Sequence, residues 1–434
     1  MGRLRRAVLA VLLAVPLLIA ALPASALGFS GFGAVSADAT YGQSMVFRVS
    51  LPGGPPDRLE LLLRFAGDDA SFVAPVTASG DSAEYVWNTA DRHVTPNTSI
   101  TYAWRATDGG GVTLSRPGTL LYDDDRPGLD WQSARLGDAT VHWYGGAETI
   151  ARRFGELAAG GASRAEELLG NQMTGAVDIF VYDSRDDFFG ALGPGAREWT
   201  GAATYPAIRT IFMWLGGGPT DYLETTIVHE VTHVVFNDAT KNPFHEPAKW
   251  LNEGLASWAE QQNADAERST VTFEASGGGL FSFDAISQQF PIGDRGSRLA
   301  YAQGATMVDM IIADHGRQAI ARMAAAYRDG SSDAEALQAG TGETAEALYA
   351  AYFRDFDASE PLPVEPAPIL PSNVRRPGTA GSPGASPGTG PDGAPAAGAG
   401  AWQWLVVLGA MAVLIGLVLA LAWAGRRGPR KSVQ

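Results

Sequence analysis

Two histidines stand four residues apart in the segment TTIVHEVTHVVF, and this spacing strongly constrains how the segment folds. Residues four apart share one face of a helix, so His229 and His233 would project side by side. The sequence predicts a helix over residues 224–236, with Thr220 or Asp221 as its N-cap. The helix is expected to be buried because its other residues near the histidines carry no charge: Thr226, Ile227, Val228, Val231, Thr232, Val234 and Val235.

A metal site is the chemical interpretation of this helix. His229 and His233 have the separation that two ligands of one zinc ion need, and Glu230 can act on a water molecule beside the ion without binding the ion itself. This is the H-E-x-x-H arrangement of zinc hydrolases. The alternative is that both histidines are ordinary core or surface residues, because short motifs also occur by chance. The chain has no cysteine, so any metal must be held by His, Asp or Glu.

A catalytic zinc ion needs a third protein ligand and an open fourth position. The candidates downstream are His245, Glu246, Glu253 and Glu260. The segment KWLNEGLASWAE predicts a second helix that begins at about residue 251 and has tryptophan and leucine on one face. If that helix returns antiparallel to the first one, Glu253 faces the two histidines.

The segments HEVTH and WLNEGLA together resemble the gluzincin metallopeptidases, and they are most similar to the peptidase MA-like and aminopeptidase N-like enzymes. The resemblance implies one Zn²⁺ ion held by His229, His233 and Glu253. It also implies that Glu230 is the general base and that Glu260 steadies a ligand histidine without binding the metal itself.

The resemblance extends over roughly residues 130–357 and implies one further catalytic residue. In the segment RLAYAQG, Tyr301 precedes a glycine-containing helix start and would hydrogen-bond to the tetrahedral intermediate; the alternative is a packing tyrosine. The G-x-M-E-N segment that binds a substrate's amino terminus in aminopeptidases is missing, which leaves exo- and endopeptidase activity both open. The strand over residues 208–215 is expected at the sheet edge, where it would pair with an extended peptide.

Two domains are predicted between the two ends of the chain. Residues 28–125 predict an all-β sandwich of the immunoglobulin or fibronectin III type, because Met45, Phe47 and Val49 alternate with polar residues between glycine-rich turns. Residues 128–358 predict an α+β domain of the zincin type, with a small sheet followed by helices.

The two ends of the chain predict export and anchoring. Residues 1–26 have the basic start, apolar run and A-x-A site of a signal peptide. Residues 359–401 form a Pro/Gly/Ala-rich stalk, residues 402–424 an uncharged membrane-spanning helix and residues 425–434 a basic cytoplasmic tail. The expected location is therefore the cell membrane, with a single pass, an extracellular ectodomain and a cytoplasmic C-terminus.

These features together predict an extracytoplasmic zinc metallopeptidase that cleaves peptides or proteins. The alternative is a catalytically inactive zincin-like surface protein that acts as a binding or scaffold module. A formal net charge of −15 argues against a nucleic-acid partner.

Overall fold

The computed structural model describes residues 29–193, 201–260, 264–291, 293–359 and 361. The predicted signal peptide, membrane helix and basic tail lie outside the described residues, as does the stalk apart from Ser359 and Pro361. Within the described ranges, no helix is both long enough and apolar enough to cross a membrane.

The N-terminal region is a β-sandwich. Its strands are β1 (Val35–Thr40), β2 (Ser44–Ser50), β3 (Arg58–Phe65), β4 (Phe72–Val76), β5 (Ser82–Asn88), β6 (Thr98–Asp108), β7 (Gly111–Leu114) and β8 (Gly118–Tyr122). One antiparallel sheet has the order β1-β2-β5, and the other has the order β4-β3-β6, with β7 and β8 both pairing with β6. Met45, Phe47 and Val49 are buried between the sheets, so the predicted β-rich region is confirmed.

A second, mixed sheet follows the sandwich. Its strands are β9 (Gln132–Leu136), β10 (Ala139–Trp143), β11 (Val177–Tyr182), β12 (Ala202–Tyr205) and β13 (Thr210–Trp214), in the order β12-β13-β11-β10-β9. Strands β10, β11 and β13 are parallel, whereas β9 and β12 run antiparallel to their neighbours. Helix α1 (Glu148–Leu169) connects β10 to β11, and α2 (Arg185–Leu192) follows β11.

The edge strand differs from the one expected. Strand β13 lies between β11 and β12, so the prediction that residues 208–215 form the sheet edge is wrong, and β12 is the edge strand on this side among the described residues. Pro206 pointed to an edge position because proline cannot donate a ladder hydrogen bond. It instead begins the short 3-10 turn Pro206–Ile208 that joins β12 to β13, and Arg209 closes this turn with a positive φ of 50°.

Both faces of this sheet are covered. Ile211 and Met213 belong to the large core shared with the helices, whereas Phe212 belongs to a separate aromatic cluster with Phe180 and Phe188. Successive side chains of β13 therefore point alternately into two different cores, rather than into one core and the solvent.

Eight more helices complete the described part of the domain, and the α+β prediction is confirmed. They are α3 (Thr220–Thr240), α4 (Lys249–Glu260), α5 (Ala264–Ser276), α6 (Phe283–Gln288), α7 (Asp294–His315), α8 (Gln318–Arg328), α9 (Asp333–Thr341) and α10 (Ala345–Asp355). Helix α3 is longer than predicted, and its N-cap is Pro219 rather than Thr220 or Asp221. Helix α1 packs closely on α3, since a Cβ atom on Gly161 would lie 3.0 Å from Cγ1 of Val231.

The sandwich makes polar contacts with the mixed sheet and α2. The side-chain amide of Asn97 donates a hydrogen bond to Oγ1 of Thr210 (2.9 Å), at the start of β13. The hydroxyl of Tyr41 donates to the carbonyl of Gly190 in α2 (2.9 Å). These side-chain hydrogen bonds join residues far apart in the sequence, so they help to set the sandwich against the sheet.

Candidate metal centre

The two histidines of the motif lie on the inner face of α3. The ring centroids of His229 and His233 are 4.8 Å apart, and the side chains are 14% and 12% exposed. The burial follows from sequence, because α3 has apolar residues on most of its surface and packs against α1 and the sheet. The expected side-by-side projection is therefore present.

The third candidate ligand is a carboxylate from α4. Oε2 of Glu253 lies 3.5 Å from Nε2 of His229 and 3.4 Å from Nε2 of His233. Glu253 is buried in the second turn of α4, which begins at Lys249, slightly earlier than expected. The structure thus brings Glu253 next to the two histidines, as expected for a second helix that returns antiparallel to the first.

The loop between α3 and α4 is shaped by one asparagine. The side-chain amide of Asn242 donates hydrogen bonds to the carbonyls of His245 (3.1 Å) and Tyr327 (2.9 Å). Its Oδ1 atom accepts from the backbone N–H groups of Phe244 (2.8 Å) and His245 (3.1 Å). This network fixes the turn that returns the chain to α4, and it holds His245 next to Tyr327, with ring centroids 6.0 Å apart.

Each histidine has a partner on its second ring nitrogen. Nδ1 of His229 is 2.8 Å from Oε1 of Glu260, and Nδ1 of His233 is 2.8 Å from Oδ1 of Asn252. Both partners are oxygen acceptors, so each Nδ1 carries a proton, and each Nε2 is the ring nitrogen that points toward Glu253. The sequence indicated Glu260 but not Asn252, although Asn252 directly precedes Glu253 in the motif WLNEG.

The charges of the cluster are coupled. Burial lowers the pKa of His229, but hydrogen bonds to Glu253 and Glu260 outweigh burial and raise that pKa to about 10. Burial raises the pKa of Glu253, but hydrogen bonds with His229 and His233 outweigh it and hold this pKa well below its usual range. A metal ion that binds here takes the place of the proton on His229, because a histidine must be neutral to be a ligand.

The donor set fits a zinc ion. Two ligand atoms, each about 2.1 Å from a tetrahedral ion, are about 3.4 Å apart, which matches the distances of 3.5 and 3.4 Å from Glu253 to the histidines. The ligand atoms of His229, His233 and Glu253 all lie within 4.8 Å of one another. Two imidazoles and one carboxylate are also a common ligand set of catalytic zinc, which keeps its fourth position open.

The other candidates for a third ligand lie elsewhere. His245 belongs to the loop beside Tyr327, and Glu246 is exposed. Glu260 contacts the far nitrogen of His229 rather than the space between the histidines. Among the described residues, no other group of three histidine or acidic side chains has the geometry to hold a metal.

Glu230 faces the edge of the sheet. Oγ1 of Thr204, in strand β12, lies 2.5 Å from Oε2 of Glu230 and 3.4 Å from the backbone oxygen of the same residue. The sequence did not indicate this contact, because 26 positions separate the two residues and no motif links an edge strand to a helix.

Tyr301 lies beside the cluster, but its place in its helix differs from the one expected. Helix α7 begins at Asp294, so Tyr301 lies two turns inside the helix rather than before its start. Its ring centroid is 6.1 Å from that of His229 and 5.0 Å from that of Phe290. It lines a cleft of about 730 Å³ together with Tyr222, His229, Glu230, Glu260 and Glu267.

One family model matches the domain that contains this site. Residues 158–355 match the model described as Peptidase MA superfamily. The matched range is a little under half of the chain, and it includes α3, α4 and α7 but not the sandwich. No curated protein gives a significant match.

Solved structures give weak overall likenesses. An M1 zinc metallopeptidase from Deinococcus radiodurans aligns with a TM-score of 0.31 and 14% identity, over 79% of this chain and 98% of that chain. A two-domain M1 zinc metallopeptidase mutant with bound L-arginine aligns with a TM-score of 0.33 and 13% identity, over 76% of this chain and 93% of that chain. A bromine derivative of BhCBM56 aligns with a TM-score of 0.17 and 8% identity, over 21% of this chain and 98% of that chain. The similarity of this chain to known proteins is thus clearest in residues 158–355, which match the Peptidase MA superfamily model.

Proposed function

We propose that this chain is a zinc metallopeptidase that hydrolyses peptide bonds in extracytoplasmic peptides or proteins. The observation that carries the proposal is the convergence of His229, His233 and Glu253. Glu230 lines a cleft together with His229. The match to the Peptidase MA superfamily model supports it independently.

One Zn²⁺ ion would be held by Nε2 of His229, Nε2 of His233 and a carboxylate oxygen of Glu253. When bound, zinc lowers the pKa of water and polarises a carbonyl group. Glu260 and Asn252 would keep both imidazoles in the tautomer that binds metal, since each accepts a hydrogen bond from Nδ1.

Proton transfer is the role of Glu230. Its carboxylate takes a proton from the attacking water and then delivers that proton to the leaving amine nitrogen as the C–N bond breaks. Tyr301 lies on the same cleft, and we assign its hydroxyl to the carbonyl oxygen, which becomes negatively charged in the tetrahedral intermediate.

The substrate would bind along β12. This strand pairs with β13 and is the last strand on that side of the sheet within the described ranges, so we assign its other edge to an extended peptide, which would add through main-chain hydrogen bonds. Thr204 lies in β12 and contacts Glu230, which puts the edge strand next to the proposed base. This arrangement is compatible with cleavage at a chain end or within a chain.

The location outside the cytoplasm is part of the proposal and rests on the sequence. Residues 1–26 have the pattern of a signal peptide, and residues 402–424 have the length and composition of a single membrane-spanning helix. The basic residues after position 424 favour a cytoplasmic C-terminus.

The direct test is cleavage of a peptide library by the full-length protein in detergent. We expect one equivalent of zinc, cleavage of selected peptides, loss of cleavage with a chelator and recovery when zinc is restored. The cut positions distinguish trimming at an end from internal cleavage. A protein that holds one zinc ion but cuts no peptide would instead support the binding-module alternative, and a protein without stoichiometric zinc would contradict the metal centre.

A further inference from the structure

The hydroxyl of Thr204 is aimed at the proposed base. Its Oγ1 atom is 2.5 Å from Oε2 of Glu230 but 3.4 Å from the backbone oxygen of Glu230. A hydroxyl has one hydrogen to donate, and the shorter contact identifies the carboxylate as its acceptor. A hydrogen bond from a neutral donor to a carboxylate is charge-assisted and therefore stronger than one between neutral groups.

We propose that Thr204 is a positioning residue that holds the carboxylate of Glu230 in its working orientation, an inference that rests on the proposed peptidase function. The bond to Oε2 restricts rotation of the carboxylate and leaves Oε1 as the oxygen that takes the proton from water. Thr204 keeps its own proton throughout: it donates to Oε2 while Glu230 is ionised and continues to donate to the same oxygen when Oε1 is protonated.

The stiffness of Thr204 suits this role. Threonine is branched at Cβ, so few χ1 rotamers are open to it in a strand. Strand β12 is held by its ladder with β13, in which Thr204 pairs with Ile211. A catalytic group held by a regular element is placed more accurately than one held by a flexible loop.

The sandwich contacts the turn that follows this strand. A cavity of about 540 Å³ separates the two regions, and Thr204 and Tyr205 line it together with Trp87 and His93 of the sandwich. At its margin, a Cβ atom on Gly67 would lie 2.6 Å from the Cβ atom of Ala207, so the sandwich touches the turn that follows β12. The sandwich therefore holds the turn at the end of β12, whereas Thr204 itself borders the cavity and contacts α3.

A purely structural role of this hydrogen bond predicts a different behaviour. If the bond only ties β12 to α3, its loss lowers the Tm, and the kinetic constants fall in proportion to the unfolded fraction. If it orients the base, its loss lowers kcat while KM, Tm and zinc content stay the same, because the interaction matters in the transition state rather than in substrate binding.

The experiment compares Thr204→Val and Thr204→Ser with wild type in the zinc-loaded full-length protein. Valine has the shape of threonine without the hydroxyl, whereas serine keeps the hydroxyl. We expect Thr204→Val to lower kcat by roughly 10- to 100-fold with KM within about twofold, the size of effect that follows from small misplacement of a catalytic group. Thr204→Ser is expected to recover most of this loss. Thr225→Val is the matched control, because its hydroxyl bonds to the carbonyl of Tyr222 within α3.

A second readout does not depend on activity. We expect a crystal structure of the zinc-loaded Thr204→Val protein to show the Glu230 carboxylate turned away from its wild-type orientation or in more than one orientation. Unchanged kcat in Thr204→Val, or a loss that serine does not repair, would overturn the positioning role while leaving the peptidase function intact. Absence of peptide cleavage by wild type would overturn the proposed function and this inference together.

Discussion

Gly254 and Gly304 meet backbone to backbone: a Cβ atom on Gly254 would lie 2.3 Å from the carbonyl carbon of Gly304. In the other direction, a Cβ atom on Gly304 would lie 2.5 Å from the carbonyl oxygen of Trp250. Helices α4 and α7 can approach this closely only because both positions lack a side chain. The contact sets the distance between Glu253, one residue before Gly254, and Tyr301, one turn before Gly304.

Gly254→Ala should therefore be strongly destabilising. The new methyl group meets backbone atoms that cannot rotate away, so the two helices must separate, and the free energy of unfolding should fall by about 2–3 kcal/mol. Chemical denaturation monitored by tryptophan fluorescence measures this change.

Gly160→Ala is the control for that measurement. In α1 its new Cβ atom would lie 3.5 Å from Nη1 of Arg164, which is ordinary contact with the end of a flexible side chain. Alanine has the higher helix propensity, so this variant should gain about 0.5–1 kcal/mol. Equal stability of Gly254→Ala and wild type would contradict the close helix contact.

Glu230→Gln should remove catalysis and keep the metal. Glutamine has the shape of glutamate but cannot take a proton from water, so kcat should fall by roughly 10²- to 10⁴-fold. Zinc content, measured by mass spectrometry, should stay at one equivalent because Glu230 is not a ligand. Glu224→Gln is the control on the same helix, since Glu224 pairs with Arg153 at 3.3 Å and should keep full activity.

Glu260→Gln and Asn252→Ala should weaken zinc binding without removing a ligand. Each change alters the acceptor on Nδ1 of a ligand histidine, and loss of such a partner typically lowers metal affinity by roughly 10- to 100-fold. Competition with a fluorescent chelator measures the affinity. Glu246→Gln, at an exposed carboxylate outside the cluster, should bind zinc as wild type does; a loss there would show that the ligand set is wrong.

Because of Glu267, the free energy of unfolding should decrease as the pH rises from about 4.5 to 7. Burial, with the charge of Glu260 adding to it, raises the pKa of Glu267 from 4.5 to about 7. In this range the folded state keeps the proton while the unfolded state has lost it, so stability falls with pH. At pH 8, Glu267→Gln should gain roughly 1 kcal/mol after allowance for the exposed part of the side chain. It should gain less at pH 5.

Glu274, on the same helix, provides a control of opposite sign. Its hydrogen bonds with Arg295 lower its pKa, so its contribution is present above about pH 4.5 and is lost as the pH falls. Glu274→Gln should therefore lower the Tm at pH 8. If Glu267→Gln also lowered the Tm at pH 8, the assigned environment of Glu267 would be wrong.

The sequence indicated most of the candidate metal site because most of its residues are close together in the chain. His229, Glu230 and His233 lie within one and a half turns of a helix, and helical periodicity alone turns both histidines to one face. The sandwich strands were recognisable for the same reason, since alternation with a period of two is a property of neighbouring residues. Glu253 needed only one further assumption, that the second helix returns antiparallel to the first.

What the sequence determined by itself was thus the type of each element and the residues on one face of it, because both follow from short-range periodicity. Only the tertiary structure decided that β12 and not β13 is the sheet edge, that Asn252 holds His233, and that Thr204 reaches Glu230. Strand order and contacts between helices depend on the packing of the whole domain, and residues 26 positions apart on different elements share no periodicity that could show them to be neighbours.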